Sequence, residues 1–526
     1  MQKGVRCSCQ CYGMTFRTVL GRKCMSQKKT GVILSYIQIL TTILINLIYT
    51  PLMLRLVGVN EYGIYSLSSS VIGYLALLYT GMTSTYLRYY STYKKEGDEE
   101  AVAKLNSLFV VLFSALGCCA FILGIIFSAN LRPFLGNGLT PYEYELARIL
   151  FVIMAVNMAL LMPKTVFSTL IISQERFIFI KSLDVLHSLL IPALTLPVLY
   201  FGYGSIGMSC VVLFLTGLGL IASMWYCIRR LDCSFCFSDL PFSLLPGMFS
   251  FSIFILLQGI MDQFNWHLGK VLLANFVDSA AIAVYSIGVQ IDSLFIGLGG
   301  AFSGVVVPKI YQLVREHAVQ ELNELWLRVG RYQFYVVYFI WLGFLFFGKP
   351  FIVLWAGESY RDAYFVALLL MTPLLIHMCQ LLAIEVLRAY DKHRVWTLVH
   401  LASAVAGFLI CIPFTKEYGI LGVSVGTCVT MFLAINFYDN WYYAKYARLD
   451  VVFFFCGLAK LLPAALLCML FAWGLSRILS IMTWSDLLIA GGVYTVAYVA
   501  VMYFVGMNVQ ERNIVVSMLR RGKLYI

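Results

Sequence analysis

The chain has 526 residues, 61% hydrophobic and 12% charged, with a mean hydropathy of +0.85. Soluble domains average about 45–50% apolar and about 25% charged residues, so this sequence has half the usual charge for keeping a surface wet. That composition excludes a soluble globular enzyme, and no long polar stretch remains to house a separate catalytic domain.

The net charge of +12 does not indicate nucleic acid, because the basic residues fall between apolar runs rather than in one patch interleaved with exposed aromatics. Most of the 15 cysteines stand singly in apolar runs, as Cys210, Cys379, Cys411, Cys428 and Cys468 do. There a thiol behaves as a small hydrophobe, so no disulfide framework is expected. Two clusters, Cys7/Cys9/Cys11 and Cys233-x-x-Cys236, lack the second ligand pair that makes metal spacing specific.

Residues 1–24 form a basic N-terminal extension, expected to be disordered, without the hydrophobic segment of a signal peptide. Met25-Ser-Gln-Lys-Lys, followed almost at once by an apolar run, reads like a natural beginning, and a chain started there is expected to insert and work normally. Spans of about 20 residues then follow, the length that crosses roughly 30 Å of hydrocarbon. They fall at 31–53, 64–86, 105–128, 148–172, 183–201, 205–228, 247–271, 281–306, 332–354, 363–386, 396–414, 420–443, 452–476 and 486–507. The fold class is an all-α polytopic membrane protein with about fourteen transmembrane helices.

Charge orients the chain. With the N-terminus inside, the outer joints and span ends hold only Arg55, Arg132, Arg148, Lys270, Lys349, Arg361, Lys416 and Arg477. Lys164 and Lys460 lie within spans, and the rest of the 38 Lys and Arg residues fall inside. Such positive-inside asymmetry predicts an even number of spans and both termini in the cytoplasm.

An internal repeat organises the spans. A shift of 220 residues lays Val57, Tyr65, Ser66, Lys95 and Glu96 on Val277, Tyr285, Ser286, Arg315 and Glu316. A shift of 215 lays the run Tyr203 to Ser209 on Tyr418 to Ser424. Six spans separate the copies, so the halves share one orientation about an axis along the membrane normal. The expected organisation is a six-helix bundle over 25–228, a cytoplasmic linker over 229–246, a second parallel six-helix bundle over 247–443, and two additional helices with a cytoplasmic tail over 444–526. Two like bundles around a central cavity are the geometry of an alternating-access carrier.

The run Leu56-Val57-Gly58-Val59-Asn60-Glu61-Tyr62-Gly63-Ile64-Tyr65-Ser66-Leu67 resembles the signature of Wzx-type flippases for O-antigen and capsule polysaccharides. Arg88-Tyr89-Tyr90 leading into a Lys-Lys-Glu-Gly-Asp loop, Asp262, Tyr285-Ser286 and Pro308 extend the resemblance, which covers residues 31 to about 510. It implies the multidrug/oligosaccharidyl-lipid/polysaccharide exporter superfamily, with twelve to fourteen spans in two bundles.

Charges at bilayer depth single out the candidate site, since each costs about 2.5–3.5 kcal/mol to insert without a partner or a wet cavity. Lys164 sits deep in the fourth span behind Pro163. It is either a cationic wall group for a lipid-linked pyrophosphate or a lysine that snorkels or pairs to hold the bundle. In the seventh span Gln258, Asp262 and Asn265 follow the i, i+4, i+7 stripe of one helix face, and Gln263, His267 and Lys270 make a neighbouring polar stripe. That face is expected to line the cavity. Asp262, Asp292 and Glu385 are the candidate ion-coupling carboxylates, for H+ or Na+. Arg388, Asp184, His187 and Asp439 read as interfacial groups, and Lys460, outside the two bundles, as structural.

The function these readings imply is a flippase, not an enzyme. It carries undecaprenyl-pyrophosphate-linked oligosaccharide repeat units across the bacterial inner membrane by alternating access, with no cofactor and no metal. Its partners are the lipid-linked oligosaccharide, membrane lipids and the polysaccharide polymerase machinery. The alternatives are a multidrug or cation antiporter of the same superfamily, set apart by a net-acidic cavity, and a polysaccharide polymerase or ligase. The last would need chemistry in a large outer loop, and every outer joint here is short. Topology is directly testable: in a cysteine-free background, cysteines at 94 and 315 should react only from the cytoplasmic side and one at 349 only from outside. Outside labelling of 94 or 315 in intact cells would overturn the two-bundle reading.

Overall fold

The structure, a computed structural model, describes residues 34, 37, 38, 41–78, 82–135, 138–300, 303–513 and 516. The expectations for residues 1–24, the start at Met25, the Cys7/Cys9/Cys11 cluster and the end of the C-terminal tail lie outside the described residues. Among the described residues the chain is α-helical without strands. The helices are α1 Thr41–Val57, α2 Val59–Gly73, α3 Met82–Glu96, α4 Glu99–Ala129, α5 Leu131–Leu135, α6 Pro141–Ser173, α7 Phe177–Tyr200 and α8 Gly204–Arg229. They continue with α9 Leu245–Trp266, α10 Leu268–Phe276, α11 Ser279–Gly299, α12 Ser303–Arg315, α13 Val319–Ala356, α14 Ala363–Cys379 and α15 Leu381–Ala389. The last are α16 His393–Leu433, α17 Asp439–Tyr446, α18 Val451–Ala459, α19 Leu462–Ile478 and α20 Trp484–Val501.

The described residues group into two compact units. The first takes in the chain up to Glu61, Ser68–Leu131 and Pro141–Leu256; the second takes in Tyr62–Leu67, Arg132–Thr140 and Leu257 onward.

In the first unit, α4 starts where the Asp98 carboxylate accepts from Ala101 N at 2.8 Å, with Glu99 and Glu100 in its first turn complementing the helix dipole. Lipid supplies no hydrophobic drive between helices, so close packing needs small residues. Gly117 of α4 provides one, since a Cβ there would lie 2.9 Å from the Ala159 carbonyl oxygen of α6. That carbonyl is four residues before Pro163, the position whose hydrogen bond the proline removes. At the head of α8, Glu61 accepts from Ser205 N at 2.6 Å and from Ser205 Oγ at 2.7 Å. Gly204, at φ +55, leaves the space that the Glu61 carboxylate fills. Two of the sequence motifs thus meet in one helix cap.

In the second unit, α16 is a hairpin rather than one rod. At about 1.5 Å per residue its 41 residues would exceed a bilayer twofold, and Gly419, at φ 55 and ψ −127, turns the chain back. The arms pack through Gly407 against Thr430, Gly426 against Cys411, and Gly422 against the Phe414 carbonyl, where a Cβ would collide. Ser66 and Ser286, aligned by the repeat, hydrogen-bond to each other at 2.8 Å, and Lys270 donates to Ser66 Oγ at 2.9 Å. Around the C-terminal helices Trp326 stacks on Phe454 with ring centroids 4.2 Å apart.

Against about fourteen expected spans, nine helices among the described residues are long and apolar enough to cross a membrane, or eleven if the bent pairs Thr41–Val57 with Val59–Leu77 (117°) and Val451–Ala459 with Leu462–Ile478 (46°) each count once. Several expected spans are broken helices, as α9 and α10 are at His267 and α14 and α15 at Gln380, while the expected spans 396–414 and 420–443 are the two arms that the Gly419 turn separates. The chain is nonetheless a multi-pass, all-α membrane protein.

The C-terminal helices are fastened to α13 by one buried ion pair. Arg331 donates to Glu511 through Nε at 2.6 Å and Nη2 at 2.8 Å, and also to the Gly457 and Gly506 carbonyls. Burial alone pushes the Glu511 carboxyl up, but hydrogen bonds from Arg331 and from Asn508 N outweigh it and hold the group below the usual carboxylate range. A carboxyl depressed in the folded state stabilises fully above its ordinary range, near about 4.3, and that stability is lost as pH falls through the folded value. Glu511→Gln should therefore lower unfolding stability in lipid nanodiscs by about 3–5 kcal/mol, because it leaves the Arg331 charge buried without its partner. The loss should shrink on acidification. An unchanged melting transition at neutral pH would show that the pair holds nothing.

Candidate functional site

The second unit encloses a cavity of 510 Å³ reached by α9, α11, α12, α14, α15 and both arms of α16. Helix α9 carries Gln258, Asp262 and Asn265 to its wall, so the polar stripe read at i, i+4, i+7 faces one space. From α15 come Glu385 and Arg388, whose carboxylate and guanidinium lie 2.6 Å apart, and Arg388 Nη2 also reaches Gln258 Oε1 at 3.4 Å. Arg388 and Glu385 sit one helical turn apart, which explains the pairing.

The far wall is built around a carboxylate. Asp439, fully buried, accepts from Trp396 Nε1 at 2.7 Å, and His400 Nε2 lies 2.6 Å from the same oxygen, Oδ1. Its second oxygen takes the Tyr443 hydroxyl at 3.4 Å and lies 3.9 Å from His377 Nδ1. Because Asp439 offers only acceptors, His400 presents an N–H to it and turns Nδ1 away. Trp396, His400 and His377 all line the cavity, with Asp439 behind them. The elements explain the placement. Trp396 and His400 are one turn apart on the first arm of α16. Asp439 follows the π-helical turn Ala434–Tyr438 at the end of the second arm, and such a turn shifts the register of the helix face. Among Asp, Glu, Lys and Arg, the cavity lining sets one arginine, Arg388, against two carboxylates, Asp262 and Glu385.

The remaining predicted residues lie elsewhere. His267 caps α10 and Lys270 is buried on Ser66, so neither lines this cavity. Asp292 of α11 is fully buried, with both carboxylate oxygens lacking a hydrogen-bond partner among the described residues, and does not line it either. Lys164 belongs to the first unit. Its side chain lies against Gly219 of α8, where a Cβ would come within 3.0 Å of Nζ, and its electrostatic neighbours are Asp184 and His187 of α7. Beside them Lys181 Nζ reaches Gln38 Oε1 at 3.0 Å and Asp184 Oδ2 at 3.5 Å. Asp439, expected as an interfacial charge, is instead the most enclosed group of the site, because the α16 hairpin folds its end back over Trp396 and His400. Lys460 is exposed at the bend between α18 and α19. Among the described residues no group of three or more His, Cys, Asp or Glu side chains is arranged to hold a metal ion.

His377, His400 and Trp396 are what sequence reasoning missed. His377 and His400 sit in apolar runs, where a lone histidine reads as core, and Trp396 follows the basic run Lys392-His393-Arg394. The available signal was two histidines and one carboxylate spread over three consecutive expected spans, 363–386, 396–414 and 420–443.

Comparison with known proteins places this architecture. A protein of Shigella flexneri provisionally named O-antigen transporter is 19% identical over 390 residues, 72% of this chain and 89% of that protein. In fold, the lipid II flippase MurJ in an inward closed conformation matches with a TM-score of 0.70 at 14% identity, over 89% of this chain and 98% of MurJ. An inward-facing multidrug resistance MATE family transporter of the MOP superfamily matches with a TM-score of 0.60 at 14% identity, over 77% and 96% of the two chains. These proteins are transporters, in keeping with the reading of the chain as a carrier rather than an enzyme. The family described as polysaccharide biosynthesis protein matches residues 28–314, more than half of the sequence. The chain is therefore a member of the polysaccharide biosynthesis protein family, built on a MOP-superfamily transporter fold.

Proposed function

We propose that the protein is a flippase that moves undecaprenyl-pyrophosphate-linked oligosaccharide repeat units from the cytoplasmic to the outer leaflet of the bacterial inner membrane, by alternating access. Family membership carries this reading, and the placement of charge gives it a division of labour. A pyrophosphate head group must leave water while its lipid tail stays in the bilayer, so it needs fixed positive charge at membrane depth. Lys164 and Lys181 of the first unit, near Asp184 and His187, are the cations we assign to it. The second-unit cavity, with two carboxylates against one arginine, is the wrong sign for a phosphate and the right one for a coupling ion.

We assign that ion as a proton. The most buried carboxylate of the site, Asp439, is a poor sodium ligand, because its oxygens are already taken by N–H and O–H donors. His400, hydrogen-bonded to Asp439 at the cavity wall, is the group we assign to carry it. The polymerase machinery is the proposed downstream partner, since a repeat unit on the outer leaflet is its substrate. The acidic cavity also suits a small organic cation as cargo, and this second reading, a multidrug antiporter, is separated by the same test.

In proteoliposomes, Lys164→Ala should abolish flipping of the pyrophosphate-linked oligosaccharide with the protein still folded and inserted, and Lys164→Arg should keep part of it. His400→Gln should slow transport and flatten its pH dependence, Asp262→Asn should weaken it in a pH-dependent way, and exchange of sodium for potassium should change nothing. Normal flipping by Lys164→Ala would remove the head-group assignment. Sodium-dependent transport would remove the proton, and efflux of small cations without lipid flipping would favour the antiporter.

A further inference from the structure

Away from the transport chemistry, the first unit holds a cavity of 430 Å³ beside the start of α4, lined by Tyr90, Lys94, Asn106, Gln174, Asp232 and Cys233 among others. The segment after α8 forms one wall. Asn106 Nδ2 donates to the Ser234 carbonyl at 3.1 Å and Cys236 N to the Ala103 carbonyl at 3.4 Å, which fasten this segment to α4. Cys233 N donates to the Cys227 carbonyl at 3.1 Å, so the chain doubles back and brings the Cys233 thiol beside that of Cys227, within its electrostatic reach.

The two sulfurs have different surroundings. Cys227, in the last turn of α8, is fully buried and donates to the Phe167 carbonyl of α6 at 3.5 Å. Cys233 is half-buried at the cavity wall, and Gln174 Nε2 donates to its sulfur at 3.3 Å. The Cys227 thiol, the Gln174 amide and the charge of Lys94 together hold the Cys233 thiol below its ordinary range. Cys236, the other half of the Cys-x-x-Cys spacing, does not line this cavity and turns its sulfur to the Ser238 carbonyl at 3.8 Å.

We propose that Cys233 and Cys227 form an oxidation-sensitive pair on the inner face, in which Cys233 is the peroxide-reactive thiol and Cys227 its resolving partner. The Cys233 thiolate attacks one oxygen of hydrogen peroxide, the O–O bond breaks, and after protonation the products are a sulfenic acid and water. The Cys227 sulfur then attacks the sulfenic sulfur, releasing a second water and leaving a Cys227–Cys233 disulfide. Two thiols are oxidised and one peroxide is reduced to two waters. Where the surroundings are kept reducing, such a bond is transient, as a sensor requires.

Peptide mapping of the full-length protein in nanodiscs, after brief exposure to stoichiometric hydrogen peroxide and alkylation of remaining thiols, tests the pair directly. The Cys227–Cys233 disulfide should form before any change at the exposed Cys118, Cys119, Cys210 and Cys456, and dithiothreitol should reverse it. In Cys227→Ala the same treatment should leave Cys233 as a sulfenic acid trapped by a dimedone probe, and Lys94→Met should slow oxidation of Cys233 several-fold. A Cys233–Cys236 disulfide in the wild-type protein would overturn the resolving role of Cys227. Oxidation of Cys233 no faster than that of the exposed cysteines would overturn the proposal as a whole.

Discussion

A charge or polar group inside hydrocarbon must find its partner within the chain, and the second unit is arranged around that constraint at Asp439. Left alone in a membrane, a carboxylate would be costly enough to unseat the helix that carries it. Here Trp396, His400 and Tyr443 supply the donors, and the Gly419 turn supplies the path by which residues 39 and 43 positions apart in sequence come within hydrogen-bond distance. Removing the turn would separate the arms of α16 and strand the carboxylate. The hairpin's close glycine contacts and the polar network thus depend on one another.

The same constraint accounts for several other polar contacts of the interior. Arg331 and Glu511 satisfy each other and two backbone carbonyls, so the chain after α20 is tied to α13 by charge as well as by packing. Glu61 satisfies the exposed N–H end of α8. Lys270 finds Ser66, which in turn finds Ser286. Apart from Asp292, whose buried oxygens find no hydrogen-bond partner among the described residues, these polar residues mark either such internal partnerships or the walls of the cavity, and the two groups differ in what surrounds them. Structural partners are saturated and enclosed, whereas Gln258, Asp262, Asn265 and His377 border open space.

Much of this was legible from local pattern. Apolar stretches of bilayer length predict the helical class, and a periodic polar face on α9 predicts that Gln258, Asp262 and Asn265 act together, because helical spacing is fixed by the backbone. His267 and Lys270, read as a neighbouring polar stripe of the same helix, do not line the cavity: the helix breaks at His267, and Lys270, in α10, donates to Ser66. The breaks at His267 and Gln380 were not legible, since hydropathy does not register a break inside an apolar span, whereas the polar joint between 414 and 420 marked the reversal at Gly419. Nor was the His377–His400–Asp439 grouping, whose members belong to different helices and meet only through tertiary packing. The repeat was more informative than its loose matches suggest: Ser66 and Ser286, aligned by it, touch.

Transport of a lipid-linked glycan is the claim on which the roles of these residues rest. The most direct measurement is the leaflet distribution of pyrophosphate-linked oligosaccharide in inner membranes of cells depleted of the protein. Complete repeat units accumulating on the cytoplasmic leaflet, with surface polysaccharide lost, are the predicted result. Repeat units distributed normally across both leaflets, or an accumulated cytoplasmic drug in their place, would contradict it.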